Sequence, residues 1–147
     1  MTRKIRRNKI VNGVLHSVGA IILNDKNQIL MFKRKGEEWE RGWEIIKGGV
    51  YFGETLKEAV LREIKEEAGV EVKGIKLIPK IFWAERPYRG RKLKIRAKVF
   101  LCKYLSGKVK LGEPEHVGYK WMTINEAKKK IWIKDSDKIF DYLEKIK

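Results

Sequence analysis

An α/β or α+β sandwich is the fold class this sequence predicts. Short apolar runs rich in β-branched residues recur through the first hundred positions, the signature of buried strands. One strongly periodic amphipathic segment lies among them and a second lies near the last residues. One long helix among strands, with another at the end, fits a covered sheet rather than a helix bundle. The 147 residues, 43% of them hydrophobic, suffice for one ordinary core, so residues 1–147 are expected to form a single domain.

Residues 1–12 are basic and are expected to form an extension or an edge strand; the apolar h-region and small-residue cleavage site of a signal peptide do not follow them. Val14–Leu23 reads as a strand, Asn24–Asn27 as a polar turn and Gln28–Arg34 as the returning strand of a hairpin. Lys35–Arg41 is charged and aperiodic, the character of an exposed loop. Gly48, Gly49 and Gly53 crowd together just before Thr55-Leu56-Lys57-Glu58, a capping box that starts a helix. Val60, Leu61, Ile64 and Ala68 form its apolar stripe, and Gly69 ends it. Strands are expected at 76–84 and 92–104, separated by a basic loop, Glu85–Lys92. Tyr119–Met122 reads as a short strand, Asn125–Lys130 as a helical turn or two, and Ser136–Lys145 as the closing helix.

No apolar run approaches the roughly 20 residues needed to span a bilayer, so a soluble, cytoplasmic protein without a membrane partner is expected. Cys102 is the single cysteine, which excludes an internal disulfide and a cysteine zinc site. A net charge of +16 attracts phosphate-bearing partners, nucleotides or nucleic acid. The same excess of Lys and Glu also suits a surface of thermophile type. Oligomeric state is open.

Glu63, Glu66 and Glu67 stand at i, i+3 and i+4 of the central helix and so share one face. Like charges at this spacing repel unless a cation lies among them or neighbours such as Arg62 and Lys65 balance them as a solvated face. The glycine-rich loop immediately before the helix favours the first reading, because it can bring backbone close to a metal or phosphate. Carboxylate oxygens suit Mg²⁺ or Mn²⁺, ions that share their remaining positions with water and phosphates.

Gly48, five residues, Glu54, seven residues, then Arg62-Glu63-Ile64-Lys65-Glu66-Glu67-Ala68-Gly69-Val70 resembles the Nudix box at every defining position. A chance match at seven fixed positions has a probability on the order of 10⁻⁸ per starting point. The resemblance implies a mixed β-sheet sandwiched between helices, an α/β/α arrangement, and metal-dependent cleavage of a nucleoside diphosphate linked to another group. It implies that Glu63, Glu66 and Glu67 bind the metal with a backbone carbonyl of Lys47 or Gly48, and that Glu54 and Arg62 form a structural pair. Glu63 is the first candidate for the general base and Glu115 the second. Trp43–Gly48 and Glu115–Trp121 resemble segments of diadenosine tetraphosphate hydrolases, although Ile46, Gly49 and Tyr51 depart from that pattern.

Lys33, Arg34, Lys47, Arg89, Arg91 and Lys92 are candidate phosphate contacts, since phosphate chains need several cations. Trp43 and Tyr88 are candidate stacking surfaces for a base, and His116 is placed to orient Glu115 or meet phosphate. The expected substrate is a dinucleoside polyphosphate or a nucleoside triphosphate. Two alternatives are an RNA 5′-end pyrophosphohydrolase, with the basic charge binding the strand, and a non-catalytic nucleotide- or RNA-binding module.

Overall fold

The computed structural model describes residues 8–36, 42–131 and 136–146. The start of the basic extension and most of the expected loop Lys35–Arg41 lie outside them. β1 (Ile10–Val11), β2 (Val14–Leu23), β3 (Ile29–Arg34), β4 (Trp43–Glu44) and β5 (Ile46–Gly49) precede α1 (Leu56–Glu67). β6 (Glu71–Tyr88), β7 (Arg91–Ser106), β8 (His116–Met122), α2 (Ile124–Lys130) and α3 (Ser136–Lys145) follow.

The strands form one mixed sheet in the order β4-β3-β2-β7-β6, with β1 and β5 also on β2 and β8 on β3. β2 runs parallel to β7 and antiparallel to its other partners. Trp43–Gly49 joins two strands, its first half pairing with β3 and its second with β2. The hairpin expected between β2 and β3 is real but short: Leu23 faces Ile29, and Asn24 Oδ1 accepts from the N–H groups of Lys26 and Gln28 to turn the chain.

β2 is apolar almost throughout because both its faces are covered. Val18, Ala20 and Ile22 pack with Val60 and Ile64 of α1 and with Phe100 and Cys102 of β7. Ile21 faces the opposite way, into a core with Val99 of β7, Ala127 of α2 and Ile139, Phe140 and Leu143 of α3. The architecture is α+β, a curled mixed sheet with helices on both faces. Burial holds the Cys102 thiol pKa up at about 12, so it is an inert core group.

α1 is bounded as its sequence predicts. Thr55 Oγ1 accepts from the Glu58 N–H while Glu58 Oε1 accepts from the Thr55 N–H. Gly69 follows the helix at φ +69°, and its N–H donates to the Ile64 carbonyl. The N–H groups of Lys110 and Gly112 then satisfy the carbonyls of Ala68 and Glu67, so the stretch after β7 docks onto the end of the helix.

The basic loop expected over Glu85–Lys92 contracts to the two-residue turn Arg89-Gly90, at φ +49° and +76°. Positive φ at both central residues makes the tight hairpin turn that matches strand twist, and β6 and β7 therefore form one long ribbon. Pro87 is tolerated because β6 is the edge strand. Among the described residues no helix is long and apolar enough to cross a membrane.

Candidate active site

The capping box starts α1 one residue after Thr55, and that phase turns Glu63 and Glu67 toward the sheet while Glu66 points out. Val18 pairs with Gly48, which brings β5 beneath the helix. A Cβ on Gly48 would stand 2.2 Å from the Glu63 carboxylate, so only glycine lets the strand approach this side chain. The Lys47 N–H donates to Glu67 Oε2 at 3.1 Å, and Ser17 Oγ donates to the Gly48 carbonyl at 2.8 Å.

Glu63 and Glu67 are both buried and lie near enough for the charge of one to raise the pKa of the other. Burial raises the pKa of Glu67 first, and the charges of Glu63 and Glu44 raise it further. Burial also raises that of Glu63, against the opposing pull of Arg62. Two carboxyl groups withdrawn from water beside each other are short of positive charge.

Arg62 is the one cation placed against the pair from the helix itself. Its Nε and Nη2 meet the two oxygens of Glu54 at 2.7 and 3.0 Å, Nη2 donates to the Gly49 carbonyl at 2.7 Å, and Nη1 reaches Glu63 Oε1 at 2.7 Å. Its guanidinium lies 3.8 Å over the Tyr51 ring. Burial works to lower the Arg62 pKa, but Glu54 and Glu63 outweigh it and the net shift is upward. Glu54 also accepts from the Tyr51 N–H, so this pair clamps the glycine-rich loop to the helix.

Glu66 is 56% exposed at its side chain and touches Arg62 Nη1 at 3.3 Å. Of the three helix glutamates, two are therefore gathered at Gly48 and the third stands at the rim. Among the described residues no group of three His, Cys, Asp or Glu side chains is arranged to hold a metal ion as it stands. The donor set nevertheless suits a hard divalent ion: two adjoining buried carboxyls, a third one helical turn from Glu63, and backbone carbonyls beside them.

An acid that the sequence reading did not single out completes the site. Glu44 is buried; its Oε1 lies 2.8 Å from His116 Nε2, and its Oε2 lies 3.2 Å from Lys47 Nζ and 4.0 Å from Arg34 Nε. Burial acts to raise its pKa, but His116 and Lys47 prevail and hold it low. Glu44 and His116 are 72 residues apart; they meet because β4 and β8 flank β3, opposite Phe32 and Arg34 respectively.

The other expected positions divide. Lys47 and Arg34 stand at the rim of the carboxylates. Lys33 is 2% exposed and donates from Nζ to the Arg34 carbonyl, which removes it from the surface. Trp43 is 1% exposed within the α3-side core; its indole stabilises the fold and offers no face to a base, a correction that follows from its packing among Met31, Ile45 and Phe140. His116 stacks on Phe32 and holds Glu44 rather than Glu115. Glu115 is exposed in the turn before β8, its carbonyl accepting from the Lys35 N–H. Tyr88 and Arg91 flank the ribbon turn, roughly 23 Å along β7 from the row of Gly48 at 3.3 Å per residue. The structure does not bring them to the carboxylates.

A family model described as the NUDIX domain matches residues 15–143. The chain is 38% identical over 66 residues to an RNA pyrophosphohydrolase of Acinetobacter baylyi, covering 45% of this chain and 38% of that protein. It is 36% identical over 101 residues to an ADP-ribose pyrophosphatase of Methanocaldococcus jannaschii, covering 67% of this chain and 58% of the relative. The chain thus spans less than two thirds of the length of these curated relatives. Among solved structures, a MutT NUDIX hydrolase of Burkholderia pseudomallei superposes with a TM-score of 0.67 at 26% identity, over 91% of this chain and 98% of that one.

Proposed function

We propose, for a chain that belongs to the NUDIX family, that it is a metal-dependent hydrolase of a pyrophosphate bond in a nucleoside diphosphate linked to another group. The observation that carries this reading is the pair Glu63 and Glu67, buried side by side against the Gly48 backbone with their pKa values raised. Such a pair is costly to keep ionised without a cation and well suited to receive one.

Glu63, Glu67 and Glu66, with a carbonyl of Lys47 or Gly48, would hold Mg²⁺ or Mn²⁺. When bound, the ion supplies charge neutralisation on phosphate oxygens and makes water easier to deprotonate. Glu63 is the base we assign, because its carboxylate lies against the loop where the reacting phosphate would be held; Glu115 is the alternative. Arg62 fixes Glu63 in orientation while joining the loop to the helix. Lys47 and Arg34, beside Glu44 at the rim, are the cations placed to meet phosphate oxygens.

The substrate classes this reading admits are dinucleoside polyphosphates, nucleoside triphosphates, ADP-ribose and the 5′ end of RNA; the relatives named for RNA and for ADP-ribose lend support to the last two. The test is a product assay with Mg²⁺ or Mn²⁺ against diadenosine tetraphosphate, ATP, ADP-ribose and 5′-triphosphorylated RNA, with a metal-free control. Metal-dependent release of a nucleotide product supports the reading, and cleavage of none of the four counts against it.

A further inference from the structure

The face of β7 that carries Phe100 and Cys102 under α1 changes character further out. Lys98, Arg96, Lys94 and Lys92 occupy the same alternating positions, the outer two exposed and the inner two half-buried. Each faces a β6 residue: Ile81, Trp83, Glu85 and Pro87 in turn. Trp83 is 45% exposed directly opposite Arg96. The other face of the ribbon, with Phe82, Leu93 and Ala97, turns inward. The ribbon is therefore two-sided, apolar toward α3 and cationic with one exposed indole toward solvent.

The charge on it is strongly positive, with Glu85 opposite Lys94 as its one acid. Residues 80–98 contain eight Lys or Arg and one Glu, and among the described residues none of Lys92, Lys94, Arg96 and Lys98 is ion-paired. His16 of β2, the neighbour of Arg96 in the parallel pairing, has its pKa lowered by burial first and then by the charges of Lys9 and Arg96. Cations at alternate strand positions repeat about every 6.6 Å, close to the repeat of successive phosphates in an extended polynucleotide.

The row also has a direction. Lys98 and Gly48 are both partners of Val18, so the innermost cation stands level with the Glu63 loop and two strand spacings away, ~10 Å. We propose that this open face of the β6–β7 ribbon is a track for a single-stranded RNA, its phosphates along Lys98, Arg96, Lys94 and Lys92 and a base on Trp83. The phosphorylated 5′ end then lies at Glu63 and Glu67. A cationic strip with an exposed aromatic binds single strands by backbone attraction and stacking without reading sequence. The placement of the 5′ end rests on the hydrolase reading; the track itself does not.

Binding is measured by fluorescence anisotropy with a 3′-labelled 12-nucleotide RNA, carrying a 5′-hydroxyl or a 5′-triphosphate, without metal and at several salt concentrations. The 5′-hydroxyl RNA should bind, with affinity falling as salt rises. The double variant Lys94→Glu/Arg96→Glu should weaken it at least tenfold and reduce the log–log salt slope by about 1.4, at roughly 0.7 for each phosphate no longer neutralised. Trp83→Ala should weaken it about tenfold, and neither variant should alter hydrolysis of the mononucleotide or dinucleotide substrate. Equal RNA affinity in the wild type and the double variant overturns the track, as does binding to anionic lipid vesicles with no binding to RNA. Ribbon-dependent RNA binding without hydrolysis of any substrate would support the track and remove the hydrolase reading. Hydrolysis of small nucleotides without RNA binding would do the reverse.

Discussion

Gly48 and Glu63 are held so close that the space a single methyl group would need on the strand is already filled by the carboxylate on the helix. The backbone of Gly48 is not among those at positive φ, so alanine meets no dihedral penalty here and its effect is confined to this contact. Gly48→Ala is expected to push the Glu63 carboxyl aside and reduce kcat by two orders of magnitude or more, with Tm changed by only a few degrees. A variant with normal kcat would show that the position of Glu63 is unimportant to the reaction.

Glu63→Gln and Glu67→Gln should separate under two measurements. If Glu63 is the base as well as a ligand, its amide variant loses about 10²–10⁴ in kcat, while its Mn²⁺ affinity falls less than that of Glu67→Gln. Glu67→Gln should chiefly weaken Mn²⁺ binding, read by calorimetry or by Mn²⁺ electron paramagnetic resonance.

The raised pKa values of Glu63 and Glu67 make a signed prediction for the metal-free protein. Both carboxyls hold a proton more tightly folded than unfolded, so the folded state binds more protons and stability falls as pH rises upward from the ordinary value of 4.5. Tm without metal should decline across that range, and the increase in Tm on adding Mg²⁺ should grow with pH. Glu67→Gln should flatten the metal-free profile. A flat wild-type profile in EDTA would argue against two buried interacting acids.

Arg62 joins Glu54, Glu63 and the Gly49 carbonyl through a planar fork, a pattern an ammonium group cannot reproduce. Arg62→Ala should destabilise by about 3–5 kcal/mol, because it strands buried carboxylates. Arg62→Lys should restore part of that stability in urea denaturation yet leave kcat low. Full recovery of kcat by lysine would show that charge alone suffices.

His116 is stacked on Phe32 with Nε2 on Glu44 and with Nδ1 meeting no partner among the described residues. His116→Ala should cost about 2 kcal/mol by removing a hydrogen bond to a charged group, and His116→Gln should recover some of it. Thermal denaturation of the three proteins decides this.

The helix, its caps and the clustered glutamates were legible in the sequence because each is a local relationship: Thr55 and Glu58 bond each other three positions apart, and Glu63 and Glu67 lie one turn apart. Partners chosen by sheet register were not. Nothing near Trp43 in the chain shows that β4 will be enclosed between β3 and the α3-side core, nor anything near Glu44 that His116 will be its neighbour. The ribbon turn was hidden by composition, since Arg89-Gly90 lies in a run of charge that reads as loop while a two-residue turn needs only the right φ signs. Asn12-Gly13, a favoured turn pair at the end of an equally basic run, makes the tight link from β1 to β2.

The parallel pairing of β2 with β7 sets an order of assembly. Val14 lies against Lys94 and Leu23 against Lys103, contacts spanning eighty positions in a molecule whose other strand pairs include a local ribbon. Long-range pairings of this kind slow folding, because a large loop must close before any contact rewards it. During synthesis α1 can form a turn on its own capping box, yet Val60 and Ile64 have no Phe100 or Cys102 to pack against until β7 has left the ribosome. Gly48 and Val18 precede the helix and can meet its carboxylates early, but Phe100 and Cys102 complete the packing under Val60 and Ile64 only once β7 is in place, so metal affinity should mature with that closure of the sheet.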